Sequence, residues 1–187
     1  MYIHIIKDPV KSIEQAKRQK QMNMTVLLLL EACIVFGLAS GLAVMKNLSL
    51  TYSSLVIAAS SGISFLGMLL IASVITAFVI EIILRTLGGK GKYYEALTAV
   101  SYSLVPVSAG FLIASLMLFM PSVGSLLAFL FLLPAFALGL SLLYRSIKEL
   151  FGVDTITSFL AVSVMLMTEF MSLYALILLN ILGAAMA

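Results

Sequence analysis

The chain has 187 residues, of which 63% are hydrophobic and 10% charged, and its mean hydropathy is +1.20. Soluble domains contain about 45–50% apolar and about 25% charged residues, so this composition excludes a soluble protein and favours a polytopic membrane protein. The hydrophilic remainder is too short for a separate folded domain, so no module for binding nucleic acid is expected.

The first predicted element is a short amphipathic helix in a basic cytoplasmic tail, residues 1–23. Asp8 can cap a helix that begins at Pro9, and Val10, Ile13 and Ala16 follow at three-residue spacing. Such a helix could be a docking handle for lipid or a partner protein, or a topology signal on the lipid headgroups. The basic contact candidates of the tail are Lys11, Lys17 and Arg18.

Five apolar segments are long enough to cross a bilayer, which requires about 20 mostly apolar residues each. We therefore expect an all-α fold, in which residues 24–187 form a bundle of five transmembrane helices behind the amphipathic tail helix. The five predicted spans cover about residues 24–45, 62–84, 97–120, 123–144 and 156–182.

Lysine and arginine residues predict the orientation of the bundle. Of the eleven, all except Lys46 lie in the tail, the second loop or the fourth loop between the predicted spans. Cytoplasmic segments collect Lys and Arg, so this bias predicts a cytoplasmic N-terminus and an outer C-terminus. A basic surface next to the membrane also suits anionic lipid headgroups, at roughly 1 kcal/mol per nearby Lys or Arg.

Small residues at four-residue spacing and two prolines characterise the predicted spans. Small side chains let the backbones of neighbouring membrane helices approach closely. Pro106 and Pro134 lie inside the third and fourth spans, where each removes a backbone hydrogen bond and predicts a kink. The small-residue pairs are Gly37/Gly41, Ala58/Gly62, Gly110/Ala114 and Ala135/Gly139.

Three glutamates lie within the predicted spans. Glu81 precedes Arg85 by one turn, in the favourable order for a helix ion pair. Glu31 and Glu169 lie deeper, with no Lys or Arg at their depth. Ionisable residues inside a membrane are candidates for a proton or cation path, although a protonated carboxyl bonded to a neighbouring span is the alternative.

Residues for enzymatic chemistry are absent from the predicted spans. The only histidine, His4, lies in the tail, which excludes Ser–His and HExxH zinc chemistry within the membrane. Cys33 is the single cysteine, which excludes an internal disulfide and a multi-cysteine metal site. We therefore expect a non-enzymatic protein with no metal and no cofactor.

The second loop carries the most specific motif of the chain. Residues 87–97, LGGKGKYYEAL, and residues 101–106, SYSLVP, resemble the Gly-rich turn, aromatic residue and third-span opening of the Yip-domain family. Asp8 and Pro9, followed by Ile13, are similar to the segment that precedes the first span in prokaryotic members. Residues 144–153, YRSIKELFGV, are similar to the fourth loop of the family.

The resemblance implies five spans, a cytoplasmic N-terminus and a non-enzymatic role in organising membrane partners or lipids. Eukaryotic members bind prenylated Rab/Ypt GTPases. The short tail, the missing acidic element and Ser101, where the family often has Gly, instead imply a prokaryotic member in the cell membrane. The expected contact face comprises the tail and the loops 85–94 and 145–155, which would meet anionic headgroups or a protein partner. Its loop candidates are Gly88, Gly89, Lys90, Lys92, Tyr93, Arg145 and Lys148.

A second functional hypothesis is a small proton- or cation-linked transporter or channel. It would use Glu31 and Glu169, and kinks at Pro106 and Pro134 would shape its cavity. The sequence leaves the oligomeric state open.

Overall fold

The computed structural model describes residue 13, residues 22–46 and residues 52–167. In this part of the chain all regular secondary structure is helical, and the helices are joined by turns and loops. Four helices are long and apolar enough to cross a membrane, and a fifth is described as far as Met167. The rest of the predicted last span lies outside the described residues. The helices are α1 Met22–Met45, α2 Tyr52–Thr86, α3 Tyr93–Met117, α4 Gly124–Phe151 and α5 Thr155–Met167.

Two helices are longer than the predicted spans. α2 begins at Tyr52, about ten residues before the expected start, and its 35 residues extend about 52 Å, well beyond a hydrocarbon core of about 30 Å. α4 continues beyond Tyr144 because Ile147, Leu150 and Phe151 are buried in the protein core. The charged residues of a predicted loop therefore mark where the predicted bilayer segment ends, and both helices extend beyond the predicted spans.

α3 is the central helix of the bundle. It packs against α1, α2 and α4, and most of its length is buried. α2 is peripheral, and large apolar side chains such as Ile63, Met68 and Ile71 remain exposed along it. Exposed aliphatic side chains on apolar helices of this length fit an integral membrane protein whose outer surface contacts lipid.

Close backbone contacts at small residues join the helices in pairs. A Cβ atom placed on Gly62 of α2 would lie 2.7 Å from the carbonyl oxygen of Gly37 on α1. One placed on Gly41 would lie 3.0 Å from the carbonyl oxygen of Ala58. The α3–α4 pair is similar, since Gly110 lies directly against the Cβ atom of Ala135. The small-residue pairs predicted from the sequence thus lie at the helix crossings.

The two prolines lie within helices that continue past them. Pro106 is buried in α3, whereas Pro134 is exposed on α4. Each lacks the N–H group that would bond to the preceding turn. Because Pro134 is exposed, it faces outward from the described bundle. A kink at either proline stays a prediction.

The hydrophobic core includes a residue from the tail. Ile13 is only 2% exposed and belongs to the same cluster of buried side chains as Leu84, Ile147 and Phe151. The neighbouring residues of the predicted amphipathic helix, including Lys11, Lys17 and Arg18, lie outside the described residues. Ile13 therefore packs into the protein, and the amphipathic helix with its two alternative roles stays a prediction.

Candidate functional site at one end of the bundle

Two loops meet at the end of the bundle where α2 leads into α3 and α4 leads into α5. The backbone N–H of Lys90 donates a hydrogen bond to the carbonyl oxygen of Phe151, with N and O 3.3 Å apart. Gly91 lies directly on the Phe151 ring, so that a Cβ atom there would be 2.6 Å from Cε1 of the ring. We call residues 85–94 and 145–155 together the platform.

The first platform loop is fixed by hydrogen bonds at both of its ends. Gly89 donates its N–H to the carbonyl oxygen of Leu84 at 2.8 Å, which closes the end of α2. Gly88 has φ of +87°, a left-handed conformation that favours glycine. At the start of α3, the Glu95 carboxylate accepts a hydrogen bond from the N–H of Lys92 at 2.9 Å, as in a capping box. The Gly-rich segment is therefore a built turn between two helices.

The second platform loop has a left-handed glycine and an acidic cap. Gly152 has φ of +64° and donates its N–H to the carbonyl oxygen of Lys148 at 3.1 Å. Asp154 Oδ1 accepts a hydrogen bond from the N–H of Thr157 at 3.2 Å, which caps α5. Lys148 Nζ donates to the Thr155 hydroxyl at 3.1 Å across the loop. These bonds set the course of the chain between α4 and α5.

Asp154 is a capping residue of the platform that was not predicted from the sequence. Hydrogen bonds from the side chain and then from the backbone of Thr157 hold the pKa of its carboxyl below the ordinary value. The lowered pKa means that its capping contribution to stability is present at neutral pH and is lost as the pH falls through that pKa. The signal was available, because an Asp before an apolar helical segment is a typical N-cap.

The basic side chains of the platform are exposed. Arg85 is 66% exposed, and its Nη1 lies 3.3 Å from Oε1 of Glu81, which is 13% exposed. Tyr93, the first residue of α3, is half-buried. The structure thus brings the candidates of both loops to one end of the bundle. The other exposed cations there are Lys90, Lys92, Arg145 and Lys148.

Hydroxyl groups join α1 to α3 next to the platform. Thr25 Oγ1 and Thr98 Oγ1 lie 3.1 Å apart and are buried, and Thr25 Oγ1 also donates to the Tyr94 hydroxyl at 3.4 Å. Thr98 donates to the carbonyl oxygen of Tyr94 at 2.8 Å. This polar contact was not predicted, because the pairing of residues 25 and 98 depends on how two helices that are far apart in the chain are aligned.

Glu31 lies on α1, six residues and about 9 Å along the helix from Thr25. Its side chain is half-buried, and it forms no hydrogen bond or ion pair with another residue of the described ranges. Glu169 lies outside the described residues. The proposed association of these two glutamates therefore stays a prediction.

We expect Gly91→Ala to destabilise the protein because the new methyl group would displace the Phe151 ring. Overpacking of this kind costs typically about 1–3 kcal/mol. Phe151→Leu removes the ring atoms that the methyl group would meet, so Gly91→Ala should cost much less in that background. The measurement is a double-mutant cycle on unfolding in detergent micelles. Equal costs of Gly91→Ala in the two backgrounds would show that Gly91 and Phe151 are not coupled.

Comparison with known protein families shows the family of the chain. The family model of the Yip1 domain matches residues 3–178, which include both platform loops and all described helices. No curated protein and no solved structure matches the chain. Because the family match covers nearly the whole length, the chain belongs to the Yip1 domain family.

Proposed function

We propose that this protein is a non-enzymatic membrane protein that organises membrane partners or lipids through the platform. The observation that carries the proposal is the contact of Gly91 and Lys90 with Phe151. It joins two loops that are about 60 residues apart in the chain into a single surface of defined shape. A surface that is held in place before binding loses less conformational entropy when a partner binds.

The charge of the platform indicates what it would bind. Five exposed Lys and Arg side chains lie within its two loops, against two acidic residues, Glu149 and Asp154, so the platform carries an excess of positive charge. The chemistry suited to this surface is anionic: phosphate headgroups or an acidic protein segment. The proposal includes the orientation expected from the charge bias, with the platform in the cytoplasm of a prokaryotic cell.

Single cysteines at the two ends of the bundle test the proposal. In a Cys33→Ala background, Leu87→Cys places a thiol in the platform and keeps all of its basic residues, and Ser122→Cys places one in the turn at the opposite end. Both native side chains are exposed. A membrane-impermeant maleimide should label position 87 from the cytoplasmic side and position 122 from the outer side. A photo-cross-linker on position 87 should then give discrete adducts in native membranes.

The adducts should depend on charge. Adding Lys90→Glu and Lys92→Glu should weaken an electrostatic contact by at least roughly 2 kcal/mol, about thirtyfold or more, because the loss of each lysine alone removes roughly 1 kcal/mol. The cross-linker at position 122 is the matched control and should give only lipid background. Adducts of equal yield at both positions, or adducts unaffected by the charge reversal, would contradict the proposal.

A second candidate function is proton- or cation-linked transport, which is favoured by Glu31. The half-buried carboxyl group lies within an apolar helix and pairs with no basic residue of the described ranges. Such a group is costly in a membrane unless it is protonated, hydrated or bound to a cation. Glu169 would be its partner along a path.

Flux measurements in proteoliposomes test whether the protein transports protons or monovalent cations. If transport is the function, purified protein should dissipate a proton or monovalent-cation gradient faster than protein-free vesicles. Glu31→Gln should return the rate to the protein-free level, because the amide cannot exchange a proton. Glu81→Gln is the control, since Glu81 forms a helix ion pair near the platform. A wild-type rate equal to that of empty vesicles would eliminate transport of these ions.

A further inference from the structure

A groove runs between α1 and α2 in the half of the bundle remote from the platform. Its volume is about 420 Å³, and the side chains along it are aliphatic or small. The floor is formed where Gly37 and Gly62 bring the two backbones together. Leu38 and Ile63 line the groove and are exposed to the surroundings of the bundle, so the groove is open to lipid.

The length of the groove corresponds to one leaflet of a bilayer. On α1 its lining extends from Ile34 to Met45, and on α2 from Leu55 to Leu66. Each of these twelve-residue segments measures about 16 Å from its first to its last residue, at a rise of 1.5 Å per residue. Half of a hydrocarbon core of about 30 Å is about 15 Å. An acyl chain that follows this groove would therefore span its own leaflet.

A basic residue and an aromatic residue lie at the open end of the groove. Lys46 is exposed and directly follows Met45, the last lining residue of α1. Tyr52 is 84% exposed and lies one turn before Leu55 on α2. Tyrosine and lysine side chains at this level commonly meet the headgroup region. Lys46 is also the one basic residue of the chain outside the tail and the platform loops.

We propose that this groove is a binding site for an anionic phospholipid of the leaflet that contacts Lys46. One acyl chain lies along α1 and α2, and the headgroup phosphate meets the Lys46 ammonium group. The charge complementarity at the mouth selects a lipid over an uncharged occupant. This site lies at the opposite end of the bundle from the platform, and it does not depend on the function proposed for the platform.

The exposed Lys46 at the mouth of the groove favours a lipid with an anionic headgroup over an apolar helix from a partner or a second copy. A single acyl chain is narrow and apolar, and the bilayer around the protein contains such chains. The lack of polar side chains along the lining also suits hydrocarbon, because no hydrogen-bond donor would be left without a partner.

Lipid retention measured by native mass spectrometry tests the site. The protein is equilibrated in mixed micelles with equal amounts of phosphatidylglycerol and phosphatidylcholine and then released from detergent. Ala59 lines the groove and is exposed, so Ala59→Leu should fill part of the groove. Ala72→Leu makes the same change at an exposed position of α2 outside the groove and is the matched control. Lys46→Gln removes only the charge at the mouth.

The wild type should retain one phosphatidylglycerol molecule that Ala59→Leu loses and Ala72→Leu keeps. Lys46→Gln should lower the preference for phosphatidylglycerol over phosphatidylcholine about fivefold, which corresponds to roughly 1 kcal/mol for one lysine near phosphate. Equal retention by Ala59→Leu and the wild type would overturn the site in the groove. If Ala59→Leu fails to fold, Lys46→Gln decides, because an unchanged preference would overturn the headgroup contact.

Discussion

The packing of α1 against α2 depends on a close contact between their backbones at Gly37 and Gly62. Gly37 and Gly62 approach so closely that a methyl group on Gly62 would overlap the carbonyl oxygen of Gly37. Lipid tails are as apolar as leucine, so burial of apolar area drives membrane helices together only weakly. Van der Waals contact between backbones replaces that force, and it requires residues without a Cβ atom.

Different contacts position the two surfaces to which we assign a role. At one end, α3 holds the other long helices in register, and the loops that leave these helices meet at Phe151. At the other end, the crossing at Gly37 and Gly62 leaves an apolar groove with Lys46 at its mouth. Basic residues at the first end and a single lysine at the second thus have different surroundings. The first group lies on a surface of two joined loops, and the second lies at the mouth of an apolar groove.

The sequence predicts the parts of this fold that depend on local composition. Apolar length identified the four long helices, and small-residue spacing identified the residues at the crossings. Motifs in the second loop identified the family. The contact of Gly91 with Phe151 and the hydroxyl pair of Thr25 and Thr98 were not predicted. Each depends on residues far apart in the chain, whose relative position follows from packing and not from periodicity.

The tail and the intramembrane glutamates illustrate the same limit. The spacing of apolar residues marked Ile13 as part of an apolar face, but it did not distinguish a lipid surface from a protein core. Its burial among core residues distinguishes them at this position. For Glu31, the sequence predicts a deep carboxyl group without a nearby basic residue, and the depth of this group stays a prediction. The position of that group relative to Glu169 is a tertiary relation, which no pattern within either span contains.

Stability of two glycine variants in α2 tests the helix crossing most directly. A Cβ atom on Gly62 would lie 2.7 Å from a backbone oxygen, whereas one on Gly67 would have nothing within 4 Å. Gly62→Ala should therefore lower the free energy of unfolding in mixed micelles by about 1–3 kcal/mol, because the two backbones must separate. Gly67→Ala should leave it unchanged or raise it by up to about 1 kcal/mol, since Ala is the better helix former. Equal effects of the two substitutions would contradict an account in which this contact holds α1 and α2 together.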